Sequence, residues 1–154
     1  MPEYIVVHSE EEYTAAAKLF MEYAQWLSID LSFQHFEEEL KELKEMYKPN
    51  AGGIILCKEE SNYVACVAVR RIDNETAELK RMYVQPVQQH KGIGKQLLLN
   101  AVQLAKNCNY KFIRLDTLNT MAPAMNLYRQ NGFYEIAPYY FNPQTTAVFF
   151  EKKL

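Results

Sequence analysis

Residues 78 to 94 read Glu-Leu-Lys-Arg-Met-Tyr-Val-Gln-Pro-Val-Gln-Gln-His-Lys-Gly-Ile-Gly, and they restrict the fold of this chain more than any other stretch. The β-formers ending at Met82-Tyr83-Val84 predict a strand, and Pro86, which has no N–H for a sheet ladder, stops it. From Ile93 on, Leu97, Leu98, Ala101, Val102, Leu104 and Ala105 recur at helical spacing. A strand end, a short turn and a helix entered through Gly92 and Gly94 make an anion site. Unpaired N–H groups converge there, the helix dipole is positive, and glycine lets a phosphate approach the main chain. His90, Lys91 and Lys95 add positive charge to that turn.

Two common nucleotide loops do not fit. A Walker loop requires Gly where the chain has Gln89 and Ser or Thr where it has Gln96. A dinucleotide fingerprint requires a third glycine at Leu97 and a strand immediately before the first glycine.

The rest of the chain supplies the frame. Tyr4 to His8 is a short β-branched run, and Ser9 to Glu12 has the pattern of a capping box, so a first strand passes into a helix that ends near residue 27. Tyr13, Ala16, Ala17, Phe20, Ala24 and Leu27 mark its buried face. Phe33, Phe36, Leu40, Leu43 and Tyr47 predict a second amphipathic helix, with Glu37, Glu38, Lys41, Glu42, Lys44 and Glu45 on its solvated side. Extended runs over Ile54–Lys58, Tyr63–Arg71 and Thr76–Val84, separated by polar turns, predict an antiparallel meander.

After the helix of residues 92–106 comes a strand, Phe112–Leu118, which a right-handed crossover places parallel to residues 78–84. A further helix begins around Pro123 and ends at Asn131-Gly132, and strands at Phe133–Ala137 and Ala147–Lys152 close the chain.

With 154 residues, 49% of them hydrophobic and a net charge of −2, one core and a single domain over residues 1–154 are expected. No basic block marks a nucleic-acid partner, and no apolar run or N-terminal leader pattern marks a membrane one. The expected location is the cytoplasm. Cys57, Cys66 and Cys108 lack C-x-x-C spacing and read as reduced thiols, and the scattered His8, His35 and His90 predict no metal site.

Gln89-x-x-Gly92-x-Gly94, five residues after Val84, resembles the acyl-CoA pyrophosphate loop of the GCN5-related N-acetyltransferase (GNAT) superfamily. Two other stretches are similar to the same family: Ala124-x-x-Leu127-Tyr128-x-x-x-Gly132-Phe133, and Glu78 six residues before Val84. The resemblance implies an α/β (α+β) GNAT fold, a mixed sheet of about seven strands with four helices, in the order β-α-α-β-β-β-α-β-α-β-β. It also implies acetyl-CoA as cofactor and acetyl transfer to the amine of a small or amino-acid-like acceptor, by a monomer or homodimer. A peptide or protein acetyltransferase, or an acyl-CoA-binding module without turnover, are the alternatives.

Residue by residue, the resemblance puts the pantetheine arm along Met82, Tyr83 and Val84 and the pyrophosphate on Gln89, His90, Lys91, Gly92, Ile93, Gly94 and Lys95. The main-chain N–H near Val84 is the expected oxyanion donor. Many relatives have an Asn at the position of Met121, so Asn119 or Thr120 either replaces it or caps the helix.

Glu78 is either a general base, with the raised pKa of a partly buried carboxylate, or a strand carboxylate paired with Lys80 or Arg71. Tyr128 is either core packing or the acid, a phenol of ordinary pKa about 10 facing a thiol near 8.5. Tyr23, Trp26, Glu78 and Tyr139 form an aromatic and acidic set suited to a cationic amine, or else Tyr23, Trp26 and Tyr139 pack a core edge.

Overall fold

The computed structural model describes residues 1–32 and 35–154. In chain order the elements are β1 (Glu3–Val6), α1 (Glu10–Leu27), α2 (Phe36–Lys41), α3 (Leu43–Met46), β2 (Gly53–Glu59), β3 (Asn62–Arg71), β4 (Thr76–Val84), α4 (Ile93–Asn107), β5 (Phe112–Leu118), α5 (Ala122–Gln130), β6 (Tyr134–Ile136) and β7 (Ala147–Lys153). The seven strands form one mixed sheet in the order β1-β2-β3-β4-β5-β7-β6, antiparallel except between β4 and β5.

The capping box is present. The Ser9 hydroxyl accepts from Glu12 N–H at 3.2 Å, and the Glu12 carboxylate accepts from Ser9 N–H at 3.0 Å. Helix α1 then buries Ala16, Leu19 and Phe20 against one face of the sheet. Helices α4 and α5 cover the other face, where Leu97, Leu98, Ala101 and Tyr128 pack on Val67, Val69, Ile113 and Leu115.

The single second helix expected from Phe33 to Tyr47 is instead two short ones, so the described residues contain five helices rather than four; Phe33 lies outside the described residues. The break falls at Glu42 (φ −127°, ψ 36°). It brings together two side chains that an unbroken helix would separate by about 12 Å of rise: Tyr47 donates to Glu39 at 3.0 Å. Glu39 is only 1% exposed, and it accepts two hydrogen bonds from Arg81, at 2.8 and 2.9 Å. This buried pair ties α2 to the middle of β4.

Arg81 sits in a β-bulge. Ala68 faces Lys80 and Cys66 faces Tyr83, so Val67 alone opposes both Arg81 and Met82, and Arg81 takes a left-handed φ of 59°. Such a backbone is costly for a large residue, and the bidentate hold of Glu39 secures it. On its other side β4 is parallel to β5 as expected, but only Thr76, Ala77 and Glu78 pair with it, opposite Phe112, Ile113 and Arg114. Beyond that rung the two strands part.

Candidate functional site

The parting of β4 and β5 opens a cavity of about 730 Å³. One end is built from main chain. Pro86–Gln88 makes a single 3-10 turn, Gln89 is extended, and Gly92 at φ 82° precedes the first turn of α4. No side chain caps that helix and no acidic residue lies in its first turn, so its N-terminal N–H groups and dipole stay available to an anion.

A Cβ added at Gly94 would touch only Val84, at an ordinary 3.9 Å. The protein's own packing therefore does not demand glycine there, and the space left bare is what a phosphate needs.

The adjoining strand edge is equally open. Gln85 N–H donates to Val64 on β3 at 3.0 Å, so strand alternation turns the Val84 N–H to the opposite edge, toward the cavity. The Gln89 side chain donates to the Val84 carbonyl at 3.2 Å and fixes the turn to the strand end. Met82, Tyr83, Val84, Gln89, His90, Gly92, Ile93, Gly94 and Lys95 all line the cavity. Lys91 does not; its ammonium donates to Gln88 at 3.0 Å. Asn119 does not either, while Thr120 and Met121 do, so of the two candidates to replace the missing Asn it is Thr120 that reaches the wall.

The other end is built from side chains. Tyr23 and Trp26 come from α1, and both pack their rings on Tyr83. Lys80 comes from β4, Asp116 from β5 and Asn142 from the segment between β6 and β7. Asp116 accepts from the Tyr140 hydroxyl at 2.5 Å and from the Asn142 amide at 3.0 Å. Burial pushes its carboxyl above the ordinary aspartate value, and the charge of Glu78 adds to that rise against the Tyr140 hydrogen bond. Burial likewise pushes the Lys80 ammonium down to about 8, helped by the charge of Arg81.

Glu78 and Tyr139 are not on the cavity wall. Glu78 is 2% exposed, held by Arg70 at 2.8 Å across the hairpin and by the Tyr139 hydroxyl at 2.6 Å, with Lys80 at 3.9 Å; Arg71 is not a partner. The raised pKa expected for it is corrected. Burial alone pushes the carboxyl up, but Lys80, Arg70 and Tyr139 outweigh burial and hold it below its ordinary value.

Tyr128 lines the cavity from the α5 side with its ring against Phe133 and Phe150, at 5.7 and 6.0 Å. Its expected ordinary pKa is also corrected: burial, then the neighbouring Tyr23 and Asp116, push the phenol well above it.

Sequence reasoning missed Asp116 and named Lys80 only as a partner of Glu78, not as a wall residue, though a signal for Asp116 was present. In Phe112–Leu118 the apolar Ile113 and Leu115 alternate with Arg114 and Asp116, which places the charged pair together on the other face of the strand.

Known proteins are similar to this chain in sequence and in fold. An uncharacterized N-acetyltransferase of Schizosaccharomyces pombe is 34% identical over 133 residues, covering 85% of this chain and 82% of its own length. An acetyltransferase from Streptococcus agalactiae has the same fold, with a TM-score of 0.81 at 21% identity over 99% of this chain and 98% of the other. A GNAT family acetyltransferase from Elizabethkingia anophelis, solved with acetyl-CoA bound, gives a TM-score of 0.60 at 28% identity over 74% of this chain and 83% of its own. Residues 17–133 match the Acetyltransferase (GNAT) family, three-quarters of the chain carrying the uncapped glycine turn and the parted strands, and the protein belongs to that family.

Proposed function

We propose that this protein is an acetyl-CoA-dependent N-acetyltransferase acting on the amine of a small, amino-acid-like acceptor. One observation carries the reading: a single cavity joins an uncapped, glycine-lined helix N-terminus at one end to a half-buried carboxylate among aromatic rings at the other. The residues fit the cofactor. The N–H groups from His90 to Gly94 suit a pyrophosphate, and the open edge of β4 suits an extended arm with amides of its own.

When bound there, acetyl-CoA supplies a thioester from which an amine takes the acetyl group. The Val84 N–H is turned to meet the charge that develops on an acyl oxygen. Tyr128, with its phenol raised, keeps its proton and acts at the leaving sulfur as a hydrogen-bond donor rather than a full acid. Tyr23 and Trp26 offer ring faces to a cationic acceptor. Glu78 holds Tyr139 and the Lys80 ammonium in place beside the wall.

Titration calorimetry with acetyl-CoA, followed by thiol release across a panel of amines, amino acids and peptides, tests the proposal. Binding with thiol release on small amines is the expected result. Release on peptides alone would replace the acceptor by a protein, binding without release would leave an acyl-CoA-binding module, and no binding would end the reading.

A further inference from the structure

We propose that Asp116, and not Glu78, is the catalytic proton acceptor. This rests on the acetyl-transfer reading above. The two carboxylates point to the same face of the sheet, one strand apart, and differ in what surrounds them. Glu78 lies on the last rung shared by β4 and β5, flanked in register by Arg70 on one side and Arg114 on the other. Both of its oxygens are engaged, by Arg70 and by Tyr139, and it is away from the cavity. A carboxylate so held is a weak base, because two cations and a phenol stabilise the form that must take the proton.

Asp116 lies two residues further along β5, past the point where the strands separate, and it lines the cavity. Its hydrogen bonds come from the neutral Tyr140 and Asn142. The other groups that act on it electrostatically are Glu78 and Lys80 on β4, while it in turn acts on Tyr23 of α1, Tyr128 of α5 and Tyr139. Asp116 and Tyr128 thus approach the gap from opposite faces of the sheet, the arrangement needed by a reaction in which a proton leaves nitrogen on one side as sulfur departs on the other.

The balance is simple. The acceptor reacts as its neutral amine, an ammonium first giving up one proton to solvent: the nitrogen then forms its bond to the acyl carbon and gives one proton to a carboxylate oxygen of Asp116, while the carbon–sulfur bond breaks with its electron pair on sulfur. Sulfur leaves as thiolate, hydrogen-bonded by Tyr128. Asp116 then returns its proton to solvent, from which the thiolate is protonated, so no net proton or electron is consumed.

Asp116→Asn, Glu78→Gln and Tyr140→Phe test the assignment, with an acceptor amine of low basicity so that its own titration lies outside the range studied. Asp116→Asn should bind acetyl-CoA within about twofold of the parent, lose about 100-fold or more in kcat, and lose the acidic limb of the rate profile. Asp116→Glu should recover part of the rate. In Glu78→Gln the limb should persist but move to lower pH, since the Glu78 charge raises Asp116. In Tyr140→Phe it should move to higher pH, since that hydrogen bond lowers Asp116.

A second readout needs no ligand. The raised carboxyl binds its proton more tightly in the folded chain than in the unfolded one. The stability of the parent relative to Asp116→Asn should therefore fall as pH rises from the ordinary aspartate value through the raised one. A kcat in Asp116→Asn within about threefold of the parent, a limb that only Glu78→Gln removes, or a stability difference that grows with pH would each overturn the proposal. A parent protein that binds acetyl-CoA yet releases thiol with no amine would overturn both this and the acetyl-transfer reading.

Discussion

The two ends of the cavity are made of different material. The turn from Pro86 to Gly94 presents main-chain N–H groups whose position follows from one proline, two glycines and a helix start. The other end presents side chains gathered from α1, β4, β5 and the segment before β7, each held by another side chain. Between them lies the bulge at Arg81, which the Glu39 pair holds in a left-handed backbone. A main-chain site tolerates change in side chains and is sensitive to backbone freedom, while a side-chain site is the reverse.

Breaking the frame between the ends should have the largest effect. Glu39→Ala leaves the Arg81 guanidinium buried without its bidentate partner, and a loss of about 3–5 kcal/mol in urea-denaturation stability is expected. A loss under about 1 kcal/mol would mean that the bulge does not depend on the pair.

Next comes Tyr128→Phe, which should lower kcat by about 10- to 100-fold and leave acetyl-CoA affinity within about twofold, as expected of a group that acts on departing charge. Equal losses in both would reduce Tyr128 to its packing on Phe133 and Phe150.

At the main-chain end, Gly92→Ala introduces a side chain at φ 82°, where a Cβ meets no protein atom within 4 Å. It should cost about 1 kcal/mol of stability and weaken acetyl-CoA binding about tenfold, with the preference among acceptor amines unchanged. A shift in acceptor preference would show that the two ends are coupled. Lys91→Ala should do least. Its ammonium is exposed on Gln88 and off the wall, so acetyl-CoA affinity measured by calorimetry should stay within about twofold.

The same contrast explains what could be read from the chain. The strands β2 to β5, the capping box of α1 and the glycine turn are local events, set by alternation, caps and φ preferences within a few residues. The break at Glu42 was not legible, because its cause is Arg81, 39 residues away, which draws Glu39 inward where helical periodicity gave it no role. Glu78 and Asp116 are both strand carboxylates in sequence. What separates them, one ringed by Arg70, Lys80 and Tyr139 and the other by Tyr140 and Asn142, exists only once the strands are side by side. The direction of a pKa shift depends on such neighbours, so burial alone pointed the wrong way for Glu78.

The three rungs that join β4 to β5, against seven between β5 and β7, have a mechanical consequence. The sheet behaves as two panels sharing a short hinge, and the facing edges past Glu78 and Arg114 are where amide protons should exchange with solvent fastest. A ligand lying in the gap would bridge the panels as a missing strand does. It should slow exchange at the Val84 amide and, at a concentration 100 times its Kd, stabilise the whole chain by about 2.7 kcal/mol. The lifetime of this protein in the cell would then track the supply of its acyl donor.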